Sequence, residues 1–415
     1  ILNKHTCLYK SIWLFVSLSY GNGCGIFLKE IQAKHPVLLT SPPSHKSTSY
    51  ELFKPTGYIT RLSAGTKLRL FCPGLNNVIQ LLETNAIELI CHPDNVWKTA
   101  DKKAYTLEQL TCKSIPIADL RQTSERCGPL DDGQIFEAGF STSKHDFAKV
   151  FSICYDSKTE NTLYTHNTLN GAAIKSNGMK LSTTKVNKYY TIRNQIERFQ
   201  NYFGNEQNYV NQKMFLSRGH LTPDADFVFV YEQLATYFYT NVAPQFQAIN
   251  AGNWIRVENL ARNLAAEFGG DLEIYNGYMG QLHLPHPATG DLIDLCLENA
   301  QEIEVPEYYF KVIKHEPSNA AIVMITANNP YASGPVLKEF CTNVCVQAGL
   351  QNKYFTQANL GYTFCCELKE FKRHYAHLPE ALTASSLLIG PGTRNENKTG
   401  HFGKYKQRKR TEIYE

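Results

Sequence analysis

Five polar side chains near the middle of the chain have types and spacing that could act together. They are Arg218 and His220 in Ser217-Arg218-Gly219-His220, Asn241 in Asn241-Val242-Ala243-Pro244-Gln245, then Asn250 and Glu258. A neutral imidazole, with a pKa near ~6.5, can take a proton from water, so His220 has the chemistry of a general base. Gly219 beside it would let a substrate backbone come close. Arg218 lies two residues before His220, on the same side of an extended segment, and can hold a phosphate. Asn250 offers an uncharged carbonyl oxygen. Mg²⁺ favours near-octahedral oxygen coordination and keeps several waters, so one or two protein oxygens and a substrate phosphate suffice as ligands. Such a set could make a metal-assisted site for phosphodiester hydrolysis. Singly, His220 reads as a structural histidine, Asn250 as a turn residue and Glu258 as a solvated helix charge. Their joint spacing is what raises them.

The elements that must position these groups are an extended segment and a helix. Asn253 is a good N-cap, and Trp254, Val257, Ala261, Leu264 and Phe268 recur at three- and four-residue steps until Gly269-Gly270 ends the pattern. At about 100° per residue, Glu258 falls on the border of that apolar stripe beside Arg262, partly buried yet able to reach the site. The positive amino end of the same helix would favour a nearby phosphate.

The whole string resembles the DNA/RNA non-specific endonuclease family of the ββα-metal, or His-Me finger, superfamily. In that family a D-R-G-H segment supplies the base, and N-x-x-P-Q followed by an N and an E completes the site. The spacings match: nine residues from Asn241 to Asn250, eight from Asn250 to Glu258, thirty from His220 to Asn250. Ser217 departs from the commoner Asp, which predicts altered loop packing more than lost catalysis and puts metal affinity in question. S-R-G-H followed by Leu221-Thr222-Pro223-Asp224-Ala225-Asp226-Phe227 is similar to the arthropod branch, which includes secreted nucleases acting on duplexes and on double-stranded RNA. The resemblance implies that His220 deprotonates the attacking water and that Asn250 holds Mg²⁺, or Mn²⁺. It also implies that Arg218 neutralises the scissile phosphate and that Asn241 orients Asn250 or His220. Glu258 would fix water in the metal's shell, and products would carry 5′-phosphates. The family's upstream phosphate-binding Arg has no convincing counterpart, although Lys175 and Lys180 lie in the right region. The implied partner is RNA or DNA, duplexes included. The alternatives are a secreted nucleic-acid-binding protein that has lost catalysis, and an intracellular or mitochondrial nuclease of the same superfamily.

Around this segment the text is that of an ordinary globular chain. Its 415 residues, 43% apolar and 19% charged, suggest two or three domains and exclude disorder as the main state. Of the net charge of +4, residues 401–415 supply +3, so a strongly basic nucleic-acid-binding body is not visible in the count. Residues 1–23, which begin at Ile1, carry Lys4 and Lys10, then the apolar run SIWLFVSLS, then glycines, the layout of a secretory signal. The alternative for that run is a buried strand or helix. It is too short to span a bilayer and no other stretch is longer, so the expectation is a secreted protein without membrane contact.

The expected fold class is α+β: a ββα-metal nuclease domain with a central antiparallel or mixed sheet over 134–379, preceded by a small β-rich domain over 24–130. A basic tail over 380–415, containing the sequon at Asn397, is expected to be disordered. Breaker clusters Cys127-Gly128-Pro129 and Asp131-Asp132-Gly133 mark the junction. Ser63-Ala64-Gly65 reads as a hairpin turn leading into the alternating Leu68, Leu70 and Cys72, and Asn170-Gly171 as another turn. Residues 152–155, 162–165 and 308–313 read as strands, and 320–327, almost all apolar, as a central one. Residues 227–246 and 253–268 read as at least partly helical. The twelve cysteines favour disulfides, including Cys341, Cys345, Cys365 and Cys366, over a four-thiolate zinc site; loss of Cys7 with the signal would leave an odd thiol. His374 and His377 lack a third ligand, and His283 and His286 read as loop histidines.

Overall fold

The computed structural model describes residues 23–31, 33–41, 50–143, 146–176, 192–297, 303–332 and 340–390. The signal segment with Cys7, Lys180, Asn397 and the basic tail lie outside them. The described residues divide into two compact units, one up to Ala118 together with Phe140–Ala148, the other Asp119–Gly139 together with those from Lys149 onward.

The first unit is built from strands. An antiparallel sheet runs Glu51–Leu52, Val37–Thr40, Lys67–Phe71, Ala86–His92, Val96–Lys98, Ala104–Tyr105. Leu68 and Leu70, alternating with Lys67 and Arg69, are fully buried, as the period-two pattern requires. The turn at Ser63-Ala64-Gly65 does not close a hairpin, however. Ile59–Ser63 pairs with Gly23–Phe27, while Lys67–Phe71 pairs with Val37–Thr40 and Ala86–His92. Gly65, at φ 87°, turns the chain out of one sheet and into the other. Disulfides Cys24–Cys91 and Cys72–Cys112 cross-link this unit.

The second unit is organised by one large sheet, in the order Thr363–Cys366, Ala320–Ala327, Pro306–His315, Leu272–Gln281, Asn161–Leu169, Phe147–Asp156, Gly133–Ser141, Asp119–Cys127. Ser386–Leu387 adds a short parallel strand beside Ala320–Ala327, so the sheet is mixed and the class is α+β. Ala320–Ala327 is buried on both faces and lies inside the sheet. The breaker clusters at 127–133 form the turn between Asp119–Cys127 and Gly133–Ser141, so the units divide earlier, at Ala118. Asn170-Gly171 starts the helix Gly171–Ser176 rather than a hairpin, with Asn170 Oδ1 accepting from Ala173 N at 2.9 Å.

Residues 227–246 are not one helix. They divide into the helix Val230–Ala235, a turn at Tyr239–Asn241 and the strand Val242–Phe246. Pro244 explains the last part, since it lacks the N–H that a helix interior needs and sits instead in a two-stranded ribbon. Three disulfides, Cys127–Cys154, Cys341–Cys366 and Cys345–Cys365, settle the choice between disulfides and zinc. Among the described residues Cys296 is the cysteine outside these disulfides; it is buried and its Sγ accepts from Gln281 Nε2 at 3.2 Å. Among the described residues no helix is long and apolar enough to cross a membrane.

Candidate active site

The chain returns on itself to build the site. Leu216–His220 pairs antiparallel with Val242–Phe246, placing Arg218 opposite Pro244, Gly219 opposite Ala243 and His220 opposite Val242. Along the first strand Ser217 and Gly219 are buried while Arg218 and His220 are partly exposed, the alternation expected of an extended segment. After Phe246 a short turn, Gln247–Ile249, leads through Asn250–Trp254 into the helix Ile255–Phe268. This is a ββα unit.

Its bend is at Gly252, whose φ of −91° and ψ of −117° are not helical. A Cβ there would lie 2.5 Å from the Leu360 carbonyl oxygen, so the bend depends on glycine. Asn253 does not cap the helix as the sequence suggested. Its Nδ2 donates to the carbonyls of Tyr354 at 2.7 Å and Gly361 at 2.6 Å, tying the bend to a neighbouring loop. The expected helix end holds: Gly269 is left-handed at φ 68°. Trp254 is fully buried beneath the ribbon, with Nε1 donating to the His220 carbonyl at 3.4 Å.

Ser217, the departure from the family string, touches Asn250 directly. Its hydroxyl donates to the Gln245 carbonyl at 3.0 Å and accepts from Asn250 Nδ2 at 3.0 Å. That fixes which way the Asn250 amide faces, with Oδ1 on the edge away from Ser217. Among the described residues nothing donates to this oxygen, and no three His, Cys, Asp or Glu side chains group around a metal. A single oriented, uncharged oxygen fits a hard cation that keeps most of its waters, and not a closed protein cage.

Asn241 does something other than expected. It is fully buried; Nδ2 donates to the carbonyls of Thr222 and Thr236 at 2.8 Å each, and Oδ1 accepts from Thr222 N at 3.0 Å. Both amide hydrogens are spent on backbone, so Asn241 clamps the turn just after His220 and orients neither Asn250 nor His220 by direct contact. Gly219 also has a different reason from substrate approach: a Cβ would lie 2.6 Å from Gln245 Oε1. Arg218 spreads its guanidinium over the exposed ring of Tyr239, 4.6 Å from the centroid. The His220 ring meets Tyr237 edge to face at 4.9 Å.

Glu258 sits in the first turn of the helix with its side chain only 12% exposed. Burial raises its carboxyl to about 7, with Asp226 and Asp224 adding to the rise and Arg262 and Lys311 opposing it. Arg262 pairs with Asp226 at 2.9 Å and approaches Glu258 at 3.9 Å. Below lies a buried polar layer that the sequence did not announce. Lys311, fully buried on Pro306–His315, donates to Asn276 Oδ1 and lies 5.7 Å from the Trp254 ring centroid. Asn276 donates to Thr165 and Thr222 at 3.2 Å each, Thr222 donates to Thr165 at 2.8 Å, and Asn167 donates to Asp226 at 3.3 Å. Burial pushes the Lys311 ammonium down while Asp226 and Glu258 hold it up. Two of these residues had a sequence signal, since Thr222 and Asp226 belong to the string after His220. Lys175 is exposed on Gly171–Ser176, and His374 and His377 pack against Phe340 and Tyr375 in the cluster on the other face of the sheet.

Residues 131–371 match the family model described as DNA/RNA non-specific endonuclease. The chain is 32% identical over 368 residues to salivary protein Tsal1 of Glossina morsitans morsitans, spanning 86% of this chain and 90% of that protein. It is 32% identical over 394 residues to a salivary endonuclease of Lutzomyia longipalpis, with 90% of each covered. A mitochondrial nuclease EXOG of Danio rerio is 30% identical over 135 residues, 31% of this chain.

Proposed function

The chain belongs to the DNA/RNA non-specific endonuclease family and is a nuclease, and from that premise we propose that it is a secreted, Mg²⁺-dependent enzyme that hydrolyses phosphodiesters of RNA, DNA or both, duplexes included, leaving 5′-phosphates. The observation that carries this reading is the hydrogen bond from Asn250 to Ser217, which joins the turn before the helix to the strand that bears Arg218 and His220.

In this reading His220 takes the proton from the attacking water and Arg218 neutralises the phosphate under attack. Asn250 Oδ1 would hold Mg²⁺ or Mn²⁺, which when bound supplies charge stabilisation for the phosphorane-like transition state and the leaving 3′ oxygen. Glu258 orients water beside that oxygen. Asn241 acts one step removed, by holding the backbone that follows His220. These groups address phosphate and not base edges, which supports cleavage without base specificity. Five disulfides and salivary relatives that span nearly the whole chain support secretion over a mitochondrial address.

The test is a cleavage assay on matched RNA and DNA duplexes, with Mg²⁺ and with EDTA, followed by end-group analysis. Cleavage with Mg²⁺, none with EDTA and 5′-phosphate ends are expected. Activity that survives EDTA overturns the metal's role. Binding without cleavage by the unmodified protein would leave a nucleic-acid-binding protein that has lost catalysis.

A further inference from the structure

The loop tied to the bend at Gly252 carries charges that the catalytic reading leaves unused. Asn352 starts a tight turn, with Oδ1 accepting from Tyr354 N at 3.0 Å and its carbonyl from Phe355 N at 2.9 Å. Phe355 is buried in the core beneath the site helix, and its carbonyl accepts from Thr363 N at 2.8 Å. With Asn253 holding the Tyr354 and Gly361 carbonyls, the loop is anchored at both ends to the turn that begins with Asn250.

Two cations meet on this anchored loop. Arg256, in the first turn of the helix, donates to the Gly252 carbonyl and places its guanidinium 4.5 Å from the Tyr354 ring centroid. Lys353 Nζ lies 5.0 Å from the same centroid. Among the described residues no carboxylate is within ion-pair distance of either. Each cation gains from the ring, but two like charges around one ring repel, and a cation in the first turn of a helix opposes the helix dipole. An anion between the two cations would attract both and the positive helix end, offsetting these unfavourable terms. The bond to Gly252 uses one of the five guanidinium N–H groups, and the others suit phosphate oxygens.

We propose that Arg256, Lys353 and Tyr354 form a second phosphate site, which holds a backbone phosphodiester neighbouring the one that is cut. It mirrors the pair of Arg218 and Tyr239 on the ribbon: each is an arginine steadied on a tyrosine, one to either side of Asn250 in the chain. The site rests on the nuclease reading above and gives that reading a direction, a strand that runs from the ribbon across the bend to the loop at 352–355. Because Lys353 and Arg256 address only phosphate, the site tightens binding to every base sequence alike.

The test uses the full chain carrying His220→Ala, so that binding is read without cleavage, and a fluorescent duplex titrated by anisotropy at several salt concentrations. Arg256→Gln with Lys353→Gln is expected to weaken binding about tenfold at low salt. It should also lower the slope of log K against log salt by about 0.9 for each phosphate that is no longer neutralised. Lys369→Gln, an exposed lysine on Leu368–Phe371 outside the site, is the control and should leave both unchanged. In the chain that retains His220, the double variant should raise KM with little change in kcat. An unchanged salt slope, or weakening equal to that of the Lys369 control, overturns the second site while cleavage by the unmodified protein still supports the nuclease. If the unmodified protein neither binds nor cleaves, the nuclease reading falls and the second site with it.

Discussion

The large sheet has two faces that solve opposite problems, and adjacent residues of one strand show it. Phe310 points to the far face, where it packs against the rings of Phe371 at 5.0 Å and Tyr375 at 4.7 Å within a cluster that includes Ile325, Phe364 and the disulfide Cys341–Cys366. Lys311, the next residue, points to the face that carries the ββα unit and ends on Asn276 and the Trp254 ring. Both are fully buried. The far face is held by apolar area and cross-links, which stabilise in proportion to what is removed from water. The near face buries an ammonium, amides and hydroxyls that return little net stability even when fully partnered. What they provide is position: Asn276 and Thr165 bind Thr222, Asn241 clamps the same residue, and His220 stands two residues before it. The difference teaches that one face specifies how firmly the domain folds and the other where the groups proposed to react stand.

The largest effect should come from the reacting group above the near face. His220→Ala is expected to lower cleavage of both duplexes by at least ~10²-fold while binding and thermal stability persist. Wild-type-like cleavage would remove the base from the mechanism. Next, the two faces can be broken one at a time. Phe310→Ala should cost about 3–5 kcal/mol of stability and leave the cleavage rate per folded molecule intact. Lys311→Met should cost less stability than Phe310→Ala, about 1–3 kcal/mol for the Asn276 oxygen left without its donor, yet cleave roughly 10–100-fold more slowly because Asn276 is released. Lys311→Arg, which keeps the charge, should recover part of the rate. A Lys311→Met protein that both melts and cleaves like wild type would erase the distinction between the faces. A smaller effect is expected at Ser217. Its alanine variant loses a hydrogen bond worth about 1 kcal/mol, so the Mg²⁺ concentration for half-maximal cleavage should rise roughly five- to tenfold with kcat at saturation nearly unchanged. An unchanged Mg²⁺ requirement would show that Asn250 is oriented without it.

The near face was the harder one to read from sequence. Residues 320–327 announce a buried strand because every position is apolar or small, and the helix after Asn250 shows its stripe and its glycine end in one local window. Arg218 and His220 are legible because an extended segment alternates whatever it later pairs with. Lys311 gives no such signal. In Tyr308-Tyr309-Phe310-Lys311-Val312 a lone lysine in a strand reads as solvent-facing, and only pairing with the strand that bears Asn276 reveals that its face is covered. Asn253 and Asn241 misled for the same reason: an asparagine near a helix start or a catalytic string has a local partner on paper, yet their actual partners at Tyr354, Gly361 and Thr222 depend on tertiary contacts. The strand at Val242–Phe246 was hidden by the short helix before it, although Pro244 was a sign against a continuous helix. The cysteine pairings depend on sheet register and could not be read from spacing.

The smallest expected effect is also the one that separates position from stability most cleanly. Glu258 has a carboxyl raised from the usual 4.5 to about 7, chiefly by burial. Between those two values the native state therefore holds a proton that the unfolded chain has lost, and stability falls as pH rises across that window. Below about 4.5 both states are protonated and above about 7 neither is, so the loss is confined to the interval between. Glu258→Gln cannot ionise and should lack this component. The melting temperature of the variant minus that of wild type should then rise between pH 5 and pH 8, by a few degrees for a domain of this size. Cleavage should move the other way. The glutamine variant should be slower at every pH, because in the proposed mechanism the Glu258 carboxylate, which the fold disfavours, orients water. A melting difference that stays flat with pH would mean that Glu258 keeps its usual carboxylate character, and that the near face holds it without cost.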